Sequence, residues 1–381
     1  MIKPQAVEPT LALFRDTCRR FAEQHIAPHA VAWEEAESFP RSLYLEAGKL
    51  GLLGAGFPEE VGGSGLDTLT PLMAIEGLLH GGSTGVLMGL YSHGIALPHI
   101  LTLGSTEQKN RFIPEVLRGE KIAALAITEP GTGSDVAGIR TRARRDGDHY
   151  VLDGAKLFIT SGVRADQLTV LARTGDDPHR GLTFFVVERD MPGFSVSRAL
   201  HKTGWRASDT AELGFDGVRV PLSHRLGEEG SGFTALMAGF QGERLALAFT
   251  GHATAELAVN DALAWAKQRE AFGRPIAKFQ VTKHKLADMA TRVRAARALN
   301  YEVAYAVRAG KVDPAAVSMA KNFSAEVAVS VCSDAVQILG GMGYMRETRV
   351  ERFSRDARLL PIGGGTTEVM NEVIARFGFG L

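Results

Sequence analysis

The order of periodicities along this chain constrains its fold more than any other feature. From Pro9 to about Arg118 the segments TLALFRDTCRRFAEQHI, SLYLEAGKLGLLG and TLTPLMAIEGLLHGG repeat apolar residues at steps of three and four, the mark of helices with one buried face. After Gly119 the texture changes to short β-type runs between turns: KIAALAIT, DHYVLDGAKLFIT, ADQLTVLART, GLTFFVVER and AELGFDGVRV, closing near Pro221. Helical periodicity returns at Phe233 and continues through FQVTKHKLADMATRVRAARALNYEVAYAV and PAAVSMAKNFSAEVAVSVCSDAVQIL. Helices, then strands, then helices predict an α+β chain with segregated elements rather than alternating βαβ units. A chain of 381 residues also exceeds one simple core. The expected domains are helical over 1–121, β over 122–229 and helical over 230–381, without internal repeats.

Charge and cysteine usage remove several function classes. Forty-three acidic and 43 basic residues cancel, so no global field attracts nucleic acid or an anionic membrane. Cys18 and Cys332 have neither CxxC nor metal-type spacing, which suits a reducing compartment, and a cytoplasmic protein is expected. The amino terminus lacks a signal-peptide apolar core, and no stretch is expected to reach the roughly 18 apolar residues of a spanning helix. The longest hydrophobic region, PLMAIEGLLHGGSTGVLMGLYSHGIALPHIL, is broken by glycine, histidine and proline and predicts buried helices. No HExxH or P-loop occurs, and no GxGxxG or GxSxG elbow follows a β-type run, which argues against a metal, nicotinamide, ATP or serine-hydrolase site.

The segment from Phe233 to Gln268 contains no proline, is rich in Ala and Leu, and follows the turn GEEGSG, so it predicts one long helix. Phe233, Leu236, Phe240 and Leu247 define its buried stripe, and Glu243 falls on that stripe. Burial disfavours the charged form and raises a glutamate toward the range of about 6–7 that suits a general base. On pattern alone the more common reading is a glutamate neutralised by Arg244 or another cation.

Several loops carry small or basic residues in suggestive order. ITEPGTGSD, Ile127 to Asp135, has small residues that admit close backbone approach and successive N–H groups able to donate to a ligand. KLFITSG follows at Lys156, and KQREAFGRPIAKFQ at Lys267. AVQILGGMGYMRE runs from Ala335 and PIGGGTTEVMNEVIAR from Pro361. Together with LGLLGAGFPEEVGGSGLD and HKTGWRASDTAELGFDGVRVP, these motifs resemble the acyl-CoA dehydrogenase family over essentially the whole chain.

That resemblance implies an N-terminal α-helical domain, a middle β-sheet domain and a C-terminal four-helix-bundle-type domain, with FAD as cofactor. Ile127, Thr128, Gly133 and Ser134 would serve the flavin, Ser134 also bordering substrate, with Phe158, Ile159 and Thr160 flanking the ring. Arg269, Phe272 and Gln280 would reach the pyrophosphate and adenosine, and an arginine's planar donors suit phosphate. Gln337, Gly340, Gly341, Thr366 and Glu368 complete the set. FAD would be held across a subunit interface, implying a homo-oligomer, a dimer or a dimer of dimers. His201 and Asp209 are read as structural.

In most of the family the last loop reads Tyr-Glu-Gly-Thr and its glutamate takes the α-proton of the substrate, whereas Gly363 and Gly364 stand there here. Glu243, in FQGERLALA, occupies the place used by the long-chain and isovaleryl branches. By that likeness Glu243 takes the proton and flavin N5 the hydride. The enolate oxygen would be held by a ribityl hydroxyl and the Gly364 N–H. Phe240, Arg244 and Gly365 border the acyl-CoA. The vacated side chains at Gly363 and Gly364 are expected to open space near the reacting carbons, and Gly81, Gly82, Gly85 and Gly89 to line the tail region, which suits a long or methyl-branched chain. Electron-transferring flavoprotein is the expected acceptor. A carrier-protein thioester, an oxidase or monooxygenase relative and a non-enzymatic member are the alternatives.

Overall fold

A computed structural model describes residues 7–65 and 67–381. Eight helices come first: α1 (Pro9–His25), α2 (Ala30–Glu35), α3 (Ser42–Lys49), α4 (Thr70–Leu78), α5 (Thr84–Leu90), α6 (His93–Leu103), α7 (Thr106–Phe112) and α8 (Pro114–Leu117). The start of α7 is fixed by a capping box in which Ser105 and Gln108 satisfy each other's backbone N–H. The strands follow as β1 (Ala123–Ala126), β2 (Arg142–Asp146), β3 (His149–Thr160), β4 (Gln167–Arg173), β5 (Leu182–Glu188), β6 (Phe194–Ala199), β7 (Thr210–Pro221) and β8 (Arg225–Leu226). They form one sheet in the order β6-β7-β3-β2-β4-β5-β8, with β1 parallel to β4.

The long helix α9 (Gly232–Gln268) leads into a small hairpin, β9 (Glu270–Ala271) and β10 (Arg274–Pro275), and then α10 (Gln280–Arg308), α11 (Pro314–Leu339), α12 (Arg349–Ala357) and α13 (Thr367–Ile374). All five β-type runs read from the sequence are strands. Strands β2 and β6 were not expected from the sequence, because their residues are mostly polar and exposed: only Ala143 of RARRD is buried. The overlooked signal for β2 is Asp146-Gly147, where the chain turns into β3 with Gly147 at φ +62° and Asp146 paired to His149.

One apolar core joins the first helices to the C-terminal bundle, running from Leu11 and Phe21 through Met73 and Leu79 to Phe249, Tyr301 and Val331. A buried polar network crosses it: Glu76 accepts from His252 at 3.0 Å and from Tyr301 at 2.9 Å, and Asn300 joins His252 and Ser324. Burial opposes the charge on Glu76, but His252, Arg297 and Arg15 pull its carboxyl down to about 2. A second core packs α6 and α8 and the start of α9 on one sheet face, and a third fills the other face.

The expectation that no segment reaches spanning length is corrected: Thr84–Leu103 and Pro314–Tyr344 are long and apolar enough by length and composition. The first is broken into α5 and α6 at Tyr91–Ser92, and α11, the bulk of the second, is the central helix of the bundle.

Candidate active site

Helix α9 carries the centre of the site because it serves two cores. Leu236 packs under the sheet, with Phe240 partly buried against the same cluster, while Leu245, Leu247 and Phe249 enter the helical core. Glu243 lies at the change-over and is half-buried. Burial pushes its carboxyl up to about 7, against the pull of Arg244 and Lys321. It makes no hydrogen bond or direct ion pair among the described residues, so simple neutralisation by Arg244 does not describe it. The Arg244 guanidinium instead donates through Nε to the Gly364 carbonyl at 3.2 Å and sits 5.4 Å from the Phe240 ring centre.

The loop before α13 meets this face of α9. Gly364 has φ +65°, and a Cβ placed on it would stand 3.5 Å from Glu243 Oε1 and 2.5 Å from Leu247 Cδ1. The α9 carboxylate thus ends where the loop's own side chain would begin. Its neighbour Gly365 has φ +105° and its carbonyl accepts from Lys321 Nζ at 2.5 Å. Thr366 caps α13 by accepting from the Val369 N–H at 3.3 Å. Lys321 was missed by sequence reasoning; its signal was a lysine on the buried face of an otherwise apolar helix, SMAKNFSAE.

Two expectations about space are corrected. The room vacated at Gly364 is filled by Leu247, and only Gly363 is open, its nearest neighbour being the Leu359 carbonyl at 3.7 Å from a placed Cβ. Gly81, Gly82, Gly85 and Gly89 are contact points rather than tail lining. A Cβ at Gly85 would lie 2.9 Å from Glu34 and Ala207, and one at Gly89 would lie 2.5 Å from Phe39, so these positions are small because neighbouring segments touch them.

The flavin-type loops are held together by a buried ion pair. Lys156 donates to Glu129 at 2.9 Å and to the Ile127 carbonyl at 2.8 Å, while Glu129 accepts the N–H groups of Arg140 and Thr141. Leu157 N–H bonds the Thr128 carbonyl at 2.8 Å. Beyond Lys156 the pairing of β3 with β7 slips before Ile159, and this bulge turns Phe158 outward at φ +61° and 64 % exposure. Ile159 is buried, and Thr128 and Thr160 stay partly accessible. Ile127 belongs to the same core as Leu236, so these loops border the Glu243 face. The donor set suits a flavin: the N–H groups of Gly133 and Ser134 make no hydrogen bond among the described residues, and Phe158 offers an uncovered aromatic face.

The remaining expected cofactor residues sit elsewhere. Arg269 ends α9, Phe272 tops the β9–β10 hairpin at φ +51° and 96 % exposure, and Gln280 begins α10. The Lys285–Asp334 ion pair at 2.6 Å brings that end of α10 to the end of α11, where Gln337, Gly340 and Gly341 are exposed. Twenty-six residues of helix separate Glu243 from Arg269, about 39 Å at 1.5 Å per residue. One chain therefore holds the two sets at opposite ends of α9. Glu368 is exposed at the start of α13.

A cavity of about 350 Å³ lies apart from Glu243, between Glu37–Arg41 and the β6–β7 connection. Its arginines are already paired, Arg206 with Glu37 at 3.2 Å, Arg164 with Asp209, and Arg41 with Asp166. Asp209 also accepts the Val163 N–H, and His201 meets Glu37 at 2.6 Å, consistent with structural roles. Both cysteines are free buried thiols, and burial pushes Cys18 up to about 12. Among the described residues no His, Cys, Asp and Glu cluster could hold a metal ion.

Comparison with known proteins agrees along the whole length. Residues 8–120, 124–218 and 230–379 match the N-terminal, middle and C-terminal domain models of acyl-CoA dehydrogenase. The long-chain specific acyl-CoA dehydrogenase of Sus scrofa is 41% identical over 367 residues, 96% of this chain and 85% of that one. Isovaleryl-CoA dehydrogenase of Oryza sativa is 38% identical over 373 residues, 97% and 91%. A crystal structure described as a "probable acyl CoA dehydrogenase" from Mycobacterium abscessus is 50% identical, with TM-score 0.96 over 97% of this chain and 99% of that one. With its three matched domains and this fold, the chain belongs to the acyl-CoA dehydrogenase family, FAD-dependent enzymes that dehydrogenate acyl-CoA thioesters.

Proposed function

We propose that this enzyme desaturates a long or methyl-branched acyl-CoA to the trans-2-enoyl-CoA, with Glu243 as the base, and passes the electrons to an electron-transferring flavoprotein in the cytoplasm. The observation that carries the choice of base is the 3.5 Å between Glu243 Oε1 and a Cβ placed on Gly364. A carboxylate from α9 reaches the spot that the family's loop glutamate would leave empty. Its burial supports the same role, since a carboxyl raised to about 7 is a stronger base than an exposed one yet is half ionised at neutral pH.

When bound, FAD supplies the hydride acceptor that no side chain can provide. The chain's part is positional and electrostatic. Glu243 removes the α-proton, and the Gly364 N–H, which makes no hydrogen bond among the described residues, is available to the thioester oxygen as charge develops there. Arg244 fixes the Gly364 carbonyl, which orients the loop beside the base. The cofactor is proposed to lie on Thr128, Gly133, Ser134 and Phe158 to Thr160 of one chain and to meet Arg269, Phe272, Gln280, Gln337, Gly340 and Gly341 of a second. The separation along α9 is the reason, and it makes a homo-oligomer part of the proposal. The chain-length proposal rests on likeness to long-chain and isovaleryl relatives.

Anaerobic mixing with a panel of acyl-CoAs tests the reading. Glu243→Gln is expected to keep FAD and bind ligand yet bleach the flavin about 10²–10⁴-fold more slowly, the usual worth of a general base. In the wild type the rate should rise through pH of about 7 as Glu243 ionises. Bleaching by the variant at the wild-type rate would sink the assignment. Fastest bleaching by short straight chains would overturn the substrate proposal, and rapid reoxidation by air would favour an oxidase.

A further inference from the structure

Two lysines are buried among the described residues, and they are treated differently. Lys156 is paired with a carboxylate, Glu129, at 2.9 Å. Lys321, 1 % exposed, touches no carboxylate among the described residues, and its hydrogen bond goes to a backbone carbonyl, that of Gly365. A buried ammonium without a direct counter-charge is costly, so its place calls for a reason.

The reason lies in what surrounds it. Three carbonyls in this loop and at the first residue of α13 are held from outside: Gly364 by Arg244, Gly365 by Lys321, and Thr367 by Asn322, the residue after Lys321. In a trans peptide the N–H points opposite to its carbonyl, so pinning the Gly364 and Gly365 oxygens turns the N–H groups of Gly365 and Thr366 the other way. Those two N–H groups and that of Gly364 make no hydrogen bond among the described residues. Both glycines have positive φ, which leaves this loop without the stiffness of ordinary side chains and dependent on such anchors.

We infer that Lys321 is a positioning residue for proton abstraction: it anchors the Gly365 carbonyl so that the loop's N–H groups stay presented beside Glu243, and it supplies the cationic charge that Glu243 lacks by direct contact. This rests on Glu243 being the base. The charged groups facing Lys321 are Glu243 and Arg244 on α9 and Glu368 on α13, and those facing Glu243 are Arg244 and Lys321. Burial, aided by Arg244, pulls the Lys321 ammonium down to about 8, so it loses its charge just above the range where Glu243 gains its own.

A 3-thia-acyl-CoA isolates this step, because sulfur replaces the β-carbon: the α-proton can leave but no β-hydride can. Its enolate is read by the long-wavelength band it gives against oxidised flavin, over a pH series, with the FAD-loaded enzyme. The wild type should show a bell, rising through about 7 and falling above about 8. In Lys321→Met, with analogue affinity changed less than about threefold, the acid limb should move up by roughly one unit, the alkaline fall should vanish and the band at pH 7 should drop roughly fivefold to tenfold. Lys321→Gln, which keeps a donor without the charge, should also lose the alkaline fall, and it serves if the methionine variant does not load FAD. A wild-type band without an alkaline fall, or variants with both wild-type limbs, would overturn the inference. A Glu243→Gln enzyme that still forms the band would instead refute the base beneath it.

Discussion

The two ends of α9 are built on opposite rules. Around Glu243 the side chains are half or fully buried, the cations are held by backbone carbonyls, and two glycines adopt positive φ to let the loop come close. Around Arg269 the side chains are exposed, Phe272 projects into solvent on a strained turn, and Tyr344 and Val281 are 79 % and 73 % exposed. A large apolar surface left uncovered beside positive charge usually awaits a partner. The first end carries the proposed base and its loop within one chain. The second is the surface that the proposed second copy would cover.

The test with the largest expected effect breaks this comparison directly. Arg269→Ala should weaken FAD retention, roughly tenfold or more for a lost charge-assisted contact, while residual holoenzyme bleaches normally. Co-expressed with Glu243→Gln, it should restore activity, because in a mixed dimer one site collects both defects and the other none. Chains that served their own cofactor with both ends would show no recovery on mixing.

A smaller effect sharpens the buried end. Gly364→Ala should cost about 1–3 kcal/mol, from positive φ and the 2.5 Å approach to Leu247, and Leu247→Ala should return part of the steric component. Chemical denaturation of the single and double variants measures this. Equal stability of Gly364→Ala and wild type would mean that the loop is not closed as described.

The third effect concerns what Glu243 costs the fold. Its folded carboxyl titrates at about 7 against an ordinary 4.5, so between these values the unfolded chain releases a proton that the folded chain keeps, and stability falls as pH rises. Glu243→Gln does not titrate. Its advantage over the wild type should therefore open from pH 4.5 to 7, reach about 1–3 kcal/mol and stay constant above, as denaturation midpoints across that range would show. At the exposed end, Arg269→Ala should alter the stability of the folded chain by less than about 0.5 kcal/mol.

Much of this was legible without a structure. The three-part order followed from periodicity, because a helix stripe and a strand alternation leave different spacings. The apolar stripe, three residues after Phe240 and four before Leu247, marked Glu243 as a residue facing packing or a pocket, but only the resemblance to the long-chain and isovaleryl branches singled it out as the base. Lys321 was not marked, since one lysine in a long helix normally reaches water by its flexible stem, and only the packing of α11 against α9 and the α13 loop denies it that route. The glycines near residue 85 misled for a related reason: sequence shows a missing side chain but not whether a cavity or a neighbouring backbone takes its place.

The sequence by itself determined the segregation of helices from strands, the long α9 and the residue types at each motif, because these depend on local spacing along the chain. The tertiary structure alone decided that Glu243 and Gly364, 121 positions apart, meet at one point, that Leu247 fills the space the loop gives up, and that Arg269 stands far from both. These depend on which surfaces pack together, and burial, which sets the basicity of Glu243 and the charge of Lys321, exists only once they do.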